Sequence, residues 1–587
     1  MKKIIALLLA LMMVLCLFAG CAEEEKPAAE EKPAEDTQKP AEDTQKPAEE
    51  EEAPAEEEEA PAEEEEAPQA PLMLTWQQAG GTDTHIESAH RDNQSLLRPM
   101  LWENAYGYDN RTGEYFENWA TGWTVNDDST VFSLTLKDGM KWSDGSDIVI
   151  EDLIWNIYDG IMNPNAASGG NWKTVVGYDA FKEGTADTLE GMVVEGNTIT
   201  MTLTATDVTW DTLRNLCLVA PASAMEGIAW ADVDVSDYFK MPLSTGPFKV
   251  AEVVFPDYVV VERNEYYYGE PAGFQSAKLI SYAAGGTEAA VAAMIAGEID
   301  FGTRQIVIDG TTASNMVAQN ADIEWIRVPG GGVRIFNWRT QPRGDGKETP
   351  WVFDVRVRQA VDLLINQEML SAFLPETTTP AYTLMGTAAL EYNTELPQVA
   401  YDPEKAIALL DDYGWDYETE IQLAYYYDDQ VTHDSMLAIE QDFAAAGVKL
   451  DAYLMTGDLA AAIYTDCNYD ILLGMASYDP VKKNANNYNQ LTAYAGYTFL
   501  TNFGEAEFVA KYTELMDKYN TCALGSAERK AIAWEMQALN AEDCWMMPGY
   551  TNANLVAYNT KTVQVPVDLF EAGSEQGSIF SEWKVLK

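Results

Sequence analysis

Histidine is nearly absent from this chain: His85, His90 and His433 are the only three in 587 residues. Metal sites need three or four organised ligands, and the one suggestive spacing, His85-x-Glu87-x-x-His90, has no second ligand cluster near it in sequence. No metal and no cofactor is expected, and surface or hydrogen-bonded histidines are. Cysteine is also scarce. Cys16 lies in an N-terminal apolar run and Cys21 at its end, which leaves Cys217, Cys467, Cys522 and Cys544, widely spaced and without a CxxC. That spacing excludes a disulfide scaffold and a zinc site. Free thiols are expected, with Cys522–Cys544 the one bridge left open. Basic residues are few, 37 Lys and Arg against 95 Asp and Glu, for a formal net charge of −58. Binding to phosphate backbones requires a basic footprint, so nucleic acid is not expected as a partner; the charge reads as an acidic, solubilising surface. The chain also lacks G-x-S-x-G, H-E-x-x-H, a P-loop and a dinucleotide fingerprint. No nucleophile–base pair can be nominated, and the chain is not expected to be an enzyme.

What is present begins with a leader. Lys2-Lys3 precede an apolar run of 15 residues, Ile4 to Phe18, and the small pair Ala19-Gly20. The run is short for a membrane span and reads as a secretory signal peptide. Residues 22–71 hold 21 acids and 4 lysines, repeats of Lys-Pro-Ala-Glu-Asp-Thr-Gln and three copies of Glu-Glu-Glu-Glu-Ala-Pro. With almost no apolar side chain beyond Ala, this stretch has nothing to bury. It is expected to be a disordered stalk spanning roughly 40 Å or more.

The body, from Leu72 onward, carries alternating strand patterns and capped helices. Leu72–Trp76 reads as a first strand. Phe132, Leu134 and Leu136 alternate with polar residues, as do Ile199, Met201 and Leu203 after the turn Glu195-Gly196-Asn197. Thr287 is a candidate cap for a helix that Gly297 ends, with Glu298–Phe301 continuing as a strand. Asp402-Pro403-Glu404 is a helix start with cap, N1 proline and first-turn acid, and Ser526 reads as a second cap, for a helix through Leu539. Trp545–Tyr558 reads as an extended segment. Sixteen Trp and 30 Tyr suit ligand burial by stacking, although most should be core.

Several ordered segments resemble one known family. Leu136-Lys137-Asp138-Gly139, Lys141-Trp142-Ser143-Asp144-Gly145, Glu151-Asp152 and Trp155 resemble the signature of family 5 extracellular solute-binding proteins, the oligopeptide- and dipeptide-binding components of ABC importers. Val149 stands where that family commonly has a threonine N-cap. Thr245-Gly246-Pro247-Phe248, Arg263-Asn264-Glu265-Tyr266-Tyr267, Ala296–Asp300, Asp354–Val361 and Tyr401–Leu410 match further family segments. Leu17–Cys21 resembles a bacterial lipobox, which implies cleavage before Cys21 and lipidation of its sulfur. The resemblance implies an α/β, two-lobed periplasmic-binding-protein-like fold of type II, the three-domain cluster C type, with mixed sheets and an interlobe cleft. It divides the chain into the leader (1–21), the stalk (22–71), domain I (72–107, 241–330 and 549–587), domain II (108–240) and domain III (331–548). Crossings near 326–340 and 545–552 would form the hinge.

The resemblance also implies a function. A monomeric chain, lipid-anchored on the extracytoplasmic face of the cell membrane, would capture a peptide or similar small polar solute by hinge closure. It would pass that solute to a permease pair driven by two ATPase subunits. A stalked receptor for a sugar, opine or metal chelate is the alternative, and an extracellular enzyme a third. The family's cleft loop aligns with Leu473–Pro480. Its amine-binding aspartate has no clear counterpart here, Met475 replaces its tryptophan, and Asp479 aligns with the final Asp-Pro. Candidate ligand-binding residues are Gln78 and Glu87 in the loop after the first strand, Trp172 on a loop of domain II, Arg334 and Trp338 at the first crossing, Met475, Tyr478 and Asp479 in the cleft loop, and Tyr550 at the second crossing.

Overall fold

The computed structural model describes residues 69–587 apart from 77–83, 92–94, 168, 283–285, 305, 307, 374–375, 387–388, 390, 429, 480–483, 486–505, 524 and 575. The leader with Cys21, the stalk as far as residue 68 and Gln78 therefore lie outside the described residues. The chain from Ala67 to Lys587 forms one compact unit.

The chain opens with β1 (Leu72–Trp76), the hairpin of β2 (Tyr106–Asp109) and β3 (Glu114–Glu117), then β4 (Ala120–Val125) and β5 (Val131–Leu136). Helix α1 (Ile150–Met162) and the hairpin β6 (Met192–Glu195) and β7 (Thr198–Thr202) follow. An antiparallel sheet in the order β4-β5-β7-β6 results. Alternation decides which face it buries: Phe132, Leu134, Leu136, Ile199 and Met201 point into one apolar cluster, while the intervening Ser and Thr face outward. The start of α1 is held without a hydroxyl cap. Asp152 reaches back, its Oδ2 accepting the Val149 N–H at 3.1 Å.

A second sheet is mixed, in the order β1-β10-β9-β8, from β8 (Phe248–Val254), β9 (Tyr258–Arg263) and β10 (Ser276–Ser281), with β1 parallel to β10. Helices α2 (Gly286–Ile295) and α3 (Gly310–Gln319) follow. Thr287 lies inside α2, which begins one residue earlier. Glu298–Phe301 is not a strand: Phe301 makes single bridges to Leu74 and Tyr558, and the segment plugs the space between two strands.

The largest sheet has seven strands. It contains β11 (Ile323–Trp338), β12 (Thr378–Pro380), β13 (Glu420–Tyr425), β14 (Lys449–Leu454), β15 (Ile471–Asp479), the short β16 (Asn484–Ala485) and β17 (Met546–Asn559). The order is β12-β17-β11-β15-β13-β14, with β16 on β15. Helices α4 (Val355–Leu364), α5 (Pro403–Tyr413), α6 (Gln430–Ala445), α7 (Ala506–Thr521) and α8 (Ala527–Asp543) belong to the same part of the chain. Their ends follow local chemistry. Asp402 accepts the Lys405 N–H at 2.9 Å, Gly414 ends α5 at φ +87°, and Ser526 Oγ accepts the Arg529 N–H at 3.1 Å. The helix begun by Ser526 runs past Leu539 to Asp543. Leu473–Asp479, within the segment expected as a loop over a cleft, is instead part of β15: β11 pairs with it as far as Ser477, and β16 pairs with Tyr478 and Asp479.

Two strands link the apolar clusters. Ile326 and Val328 of β11 and Val556 and Tyr558 of β17 pack with β1 and β8–β10. Further along the same strands, Val333, Ile335, Met546 and Tyr550 pack with α4, α6 and α8. Between those points the β11–β17 register shifts, from Pro329 opposite Ala553 to Val333 opposite Thr551. The shift falls on Gly330-Gly331-Gly332. At Gly330 a Cβ would sit 2.6 Å from the Asn552 carbonyl oxygen, so the two backbones touch where only glycine fits. All four described cysteines beyond the leader are free thiols, and Cys522 and Cys544 are not bridged.

Candidate functional site

Strands β17, β11 and β15 lie side by side, and their register aligns three residues. Arg334 stands opposite Tyr550 on one side and Met475 on the other. Tyr550 is buried, and Met475 is 44% exposed. The Arg334 guanidinium lies over the Tyr427 ring at 3.6 Å, a geometry in which ring and cation attract. Tyr427 follows the end of β13, and its hydroxyl lies 3.0 Å from that of Tyr426. Burial pushes the Tyr426 phenol up from its ordinary value. Nη1 of Arg334 is buried with no hydrogen-bond partner among the described residues.

Beside this row is a cavity of about 120 Å³. Asn337, Leu472 and Gly474 contribute strand residues, Tyr426 closes one end, and Ile463, Tyr464, Cys467 and Tyr469 come from the segment before β15. A small apolar layer of Ala424, Met455, Cys467 and Tyr469 backs it, separate from the main cluster of this part of the chain. Gly474 makes room here, since a Cβ would lie 2.8 Å from Asn337 Nδ2. The Cys467 thiol donates to the Ile463 carbonyl at 3.2 Å, and burial pushes it up from its usual value. Arg339 donates to the Gln341 carbonyl and to Thr349 Oγ1, and burial lowers it from the ordinary arginine value. Behind it Arg343 contacts Asp470 at 3.3 Å, and Asp470 accepts the Gln422 N–H at 3.0 Å. No carboxylate lines the cavity among the described residues.

The sequence candidates divide. Arg334, Met475 and Tyr550 form the row, and Trp338 and Met475 line the cavity. Trp338 is also core, edge-to-face with Trp351 at 6.1 Å. Tyr478 and Asp479 continue β15, opposite Ala485 and Asn484, and their side chains are outside the description. Glu87 is buried in the loop after β1. His90 sits in the same loop with both ring nitrogens on acceptors, Asp159 at 2.6 Å and the Cys217 carbonyl at 3.1 Å. Trp172, expected on a loop of domain II, ends a single 3-10 turn (Gly169–Trp172) and is fully buried, packed on Gly160 of α1 and edge-to-face with Trp210 at 6.1 Å. Among the described residues no group of three His, Cys, Asp or Glu could hold a metal ion. Sequence reasoning missed Asn337, Gln341, Tyr426, Tyr427, Tyr464 and Tyr469. The available signals were the run Tyr425-Tyr426-Tyr427 at a strand end and Gly474 inside a strand.

Comparisons with known proteins bear on the family and the fold. The model of the bacterial extracellular solute-binding proteins, family 5 middle, matches residues 114–498. The oligopeptide-binding protein OppA of Lactococcus lactis subsp. cremoris is 26% identical over 327 residues, 51% of this chain and 52% of that protein. A Brucella ovis protein assigned as an ABC transporter peptide-binding protein is 29% identical over 213 residues, 36% of this chain and 38% of its own length. The chain thus spans about half, or less, of the length of the curated relatives it matches. Among solved structures, lactococcal OppA complexed with an endogenous peptide in the closed conformation aligns with a TM-score of 0.63 and 19% identity, over 88% of this chain and 100% of that one. NikA from Brucella suis in complex with Fe(III)-EDTA aligns with a TM-score of 0.65 and 18% identity, over the same shares. At these identities the likeness is one of fold: two lobes of mixed α/β sheets, as in the periplasmic binding proteins.

Proposed function

The chain belongs to the bacterial extracellular solute-binding proteins of family 5, and on that premise we propose that it captures a peptide or similar small polar solute for an ABC importer. The observation that carries this reading is the row Tyr550–Arg334–Met475 beside an aromatic cavity, on β15 and the two strands, β11 and β17, that join the apolar clusters. Solute held there and by the facing lobe stabilises the closed state through its differential affinity for that state. The shift at Gly330–Gly332 and the paired stretch of β17 serve as hinge, with domain I at 72–107, 241–330 and 549–587, domain II at 108–240 and domain III at 331–548. Arg334 offers its buried Nη1 to an oxygen of the solute, and Tyr427 holds the guanidinium in place.

The rest of the reading follows from the sequence. Cleavage before Cys21 and lipidation of its sulfur anchor the chain at the extracytoplasmic face of the membrane. No helix among the described residues is long and apolar enough to cross a membrane. Residues 22–71 lift the monomeric binding unit off the surface, and a two-subunit permease with two ATPases receives the solute. The chain itself binds and releases its cargo unchanged.

The test is native mass spectrometry of the chain purified from rich medium, followed by identification of what denaturation releases. Peptides of mixed sequence support the peptide reading. A single sugar, opine or metal-chelate mass moves the assignment to that solute. Turnover of the released compound by the purified chain would sink the binding reading. In the source cell, Cys21→Ala should release the chain into the medium.

A further inference from the structure

The cavity beside Arg334 has a chemistry narrower than "small polar solute". It holds about 120 Å³, close to the roughly 150 Å³ of an engineered apolar cavity that admits benzene. Aromatic and aliphatic side chains form most of its wall: Tyr426, Tyr469, Leu472, Ile463 and Met475. Two carboxamides, Asn337 and Gln341, also line it, both half-buried. Neither side chain makes a hydrogen bond within the described residues, so each retains a donor and an acceptor for a ligand edge. Tyr464, 52% exposed, stands where the cavity meets solvent.

The charge pattern works against a cation and offers an anion little. In a chain of net charge −58, no carboxylate lines this cavity among the described residues, so an entering ammonium or guanidinium finds no counter-charge. The lining cation, Arg339, adds repulsion. Nor does Arg339 invite an anion: it is itself buried, and Asp470 behind it supplies a counter-charge. A neutral ring with one polar edge matches this wall: its face packs on the aromatic and aliphatic residues and its edge meets the amides.

We propose that this cavity is a selectivity pocket that takes one uncharged aromatic ring of the bound solute, its polar edge hydrogen-bonded to Asn337 and Gln341, and that Gly474 sets the space available to Asn337. This rests on the solute-binding reading, whose row of residues adjoins the pocket. In a peptide ligand the pocket favours a Tyr, Phe or Trp side chain over Lys, Arg, Asp or Glu at the position beside Met475.

The pocket can be tested without knowing the ligand, on the full chain stripped of bound solute. The probes are p-cresol, toluene and benzylamine, titrated at pH 7 by saturation-transfer NMR. The expected result is p-cresol binding about tenfold or more tighter than benzylamine. Gly474→Val, whose side chain meets Asn337, should abolish p-cresol binding while the circular-dichroism melt is kept. If Gly474→Val fails to fold, Asn337→Leu carries the test: it should shift preference from p-cresol towards toluene about fivefold. Equal or tighter binding of benzylamine, or an unchanged p-cresol to toluene ratio in Asn337→Leu, overturns the proposal. Its failure is separable from that of the parent reading. Co-purified solute without p-cresol binding removes the pocket and leaves the transport reading. A protein that never carries solute yet binds p-cresol through Asn337 does the reverse.

Discussion

Trp142 donates its indole N–H to Asp152 Oδ2 at 3.1 Å, and both side chains are buried. The same carboxylate accepts the Val149 N–H at the start of α1, and its Oδ1 accepts the Ala222 N–H at 2.8 Å. Three donors from separate segments converge on one side chain, so the conspicuous Lys-Trp-Ser-Asp-Gly and Glu-Asp words of the sequence are a packing device and not a ligand site. Asp152→Ala strands those donors. Loss of a helix-start contact and of charge-assisted hydrogen bonds should cost roughly 2–4 kcal/mol, read as a lower urea midpoint. Affinity for the co-purified solute, measured well below that midpoint, should be unchanged. A variant that loses affinity at full stability would place Asp152 in the binding site.

Arg334 presents the opposite case. Its guanidinium lies over Tyr427 and its Nη1 lacks a hydrogen-bond partner among the described residues, which on the proposed function leaves it for a ligand. Arg334→Met keeps the length and apolar stem of the side chain. It should weaken binding of the released solute about tenfold, the worth of one charge-assisted hydrogen bond, with a melting temperature within a few degrees of the parent. Isothermal titration and a thermal melt on the same preparation check both halves.

What the sequence revealed, and what it hid, has a physical pattern. Alternation along β5 and β7 and caps such as Asp402 and Ser526 were readable because each depends on neighbours a few residues away. The contact of Arg334 with Tyr427 depends on β13, β15 and β11 pairing in one register, which no local pattern states. Trp172 was misread for a similar reason. Gly169, Gly170 and Asn171 beside it suggest a loop, but Gly160 of α1 leaves the space that buries it: a Cβ there would lie 3.0 Å from the Trp172 indole nitrogen. Tyr425–Tyr427 gave no alternation from which to tell wall from core. Leu473–Asp479 was misjudged as a loop, since a strand with Gly474 in it lacks a strand's usual signature.

The contact between Gly330 and Asn552 yields a prediction about motion. A methyl group at Gly330 meets the Asn552 carbonyl at 2.6 Å, so β11 and β17 must separate or twist to admit it. Gly330→Ala should lower stability by about 1–3 kcal/mol and restrict bending at the register shift. Small-angle scattering checks the second effect: adding solute should contract the parent's radius of gyration more than the variant's. Equal contraction in both would locate the hinge elsewhere.

The last prediction concerns pH and rests on Asp362. This carboxyl lies in α4, 7% exposed, with Oδ1 lacking a hydrogen-bond partner among the described residues and Oδ2 4.0 Å from Cys544 Sγ. Burial raises its pKa from 3.8 to about 7. The folded state therefore binds this proton more tightly than the unfolded chain does. Its contribution to stability is fully present below about pH 4 and is lost as the pH climbs towards 7, by up to about 4 kcal/mol. Glu103 is raised by burial to about 7 in the same way, while the Arg343 guanidinium holds Asp345 down at about 2; both are the same in parent and variant and cancel in the comparison. Asp362→Asn keeps the shape of the side chain and removes the charge. Urea unfolding at pH 5 and pH 8 should show the variant more stable than the parent at pH 8, with a smaller advantage at pH 5. The same advantage at both pH values would mean that Asp362 ionises inside the fold as readily as outside it.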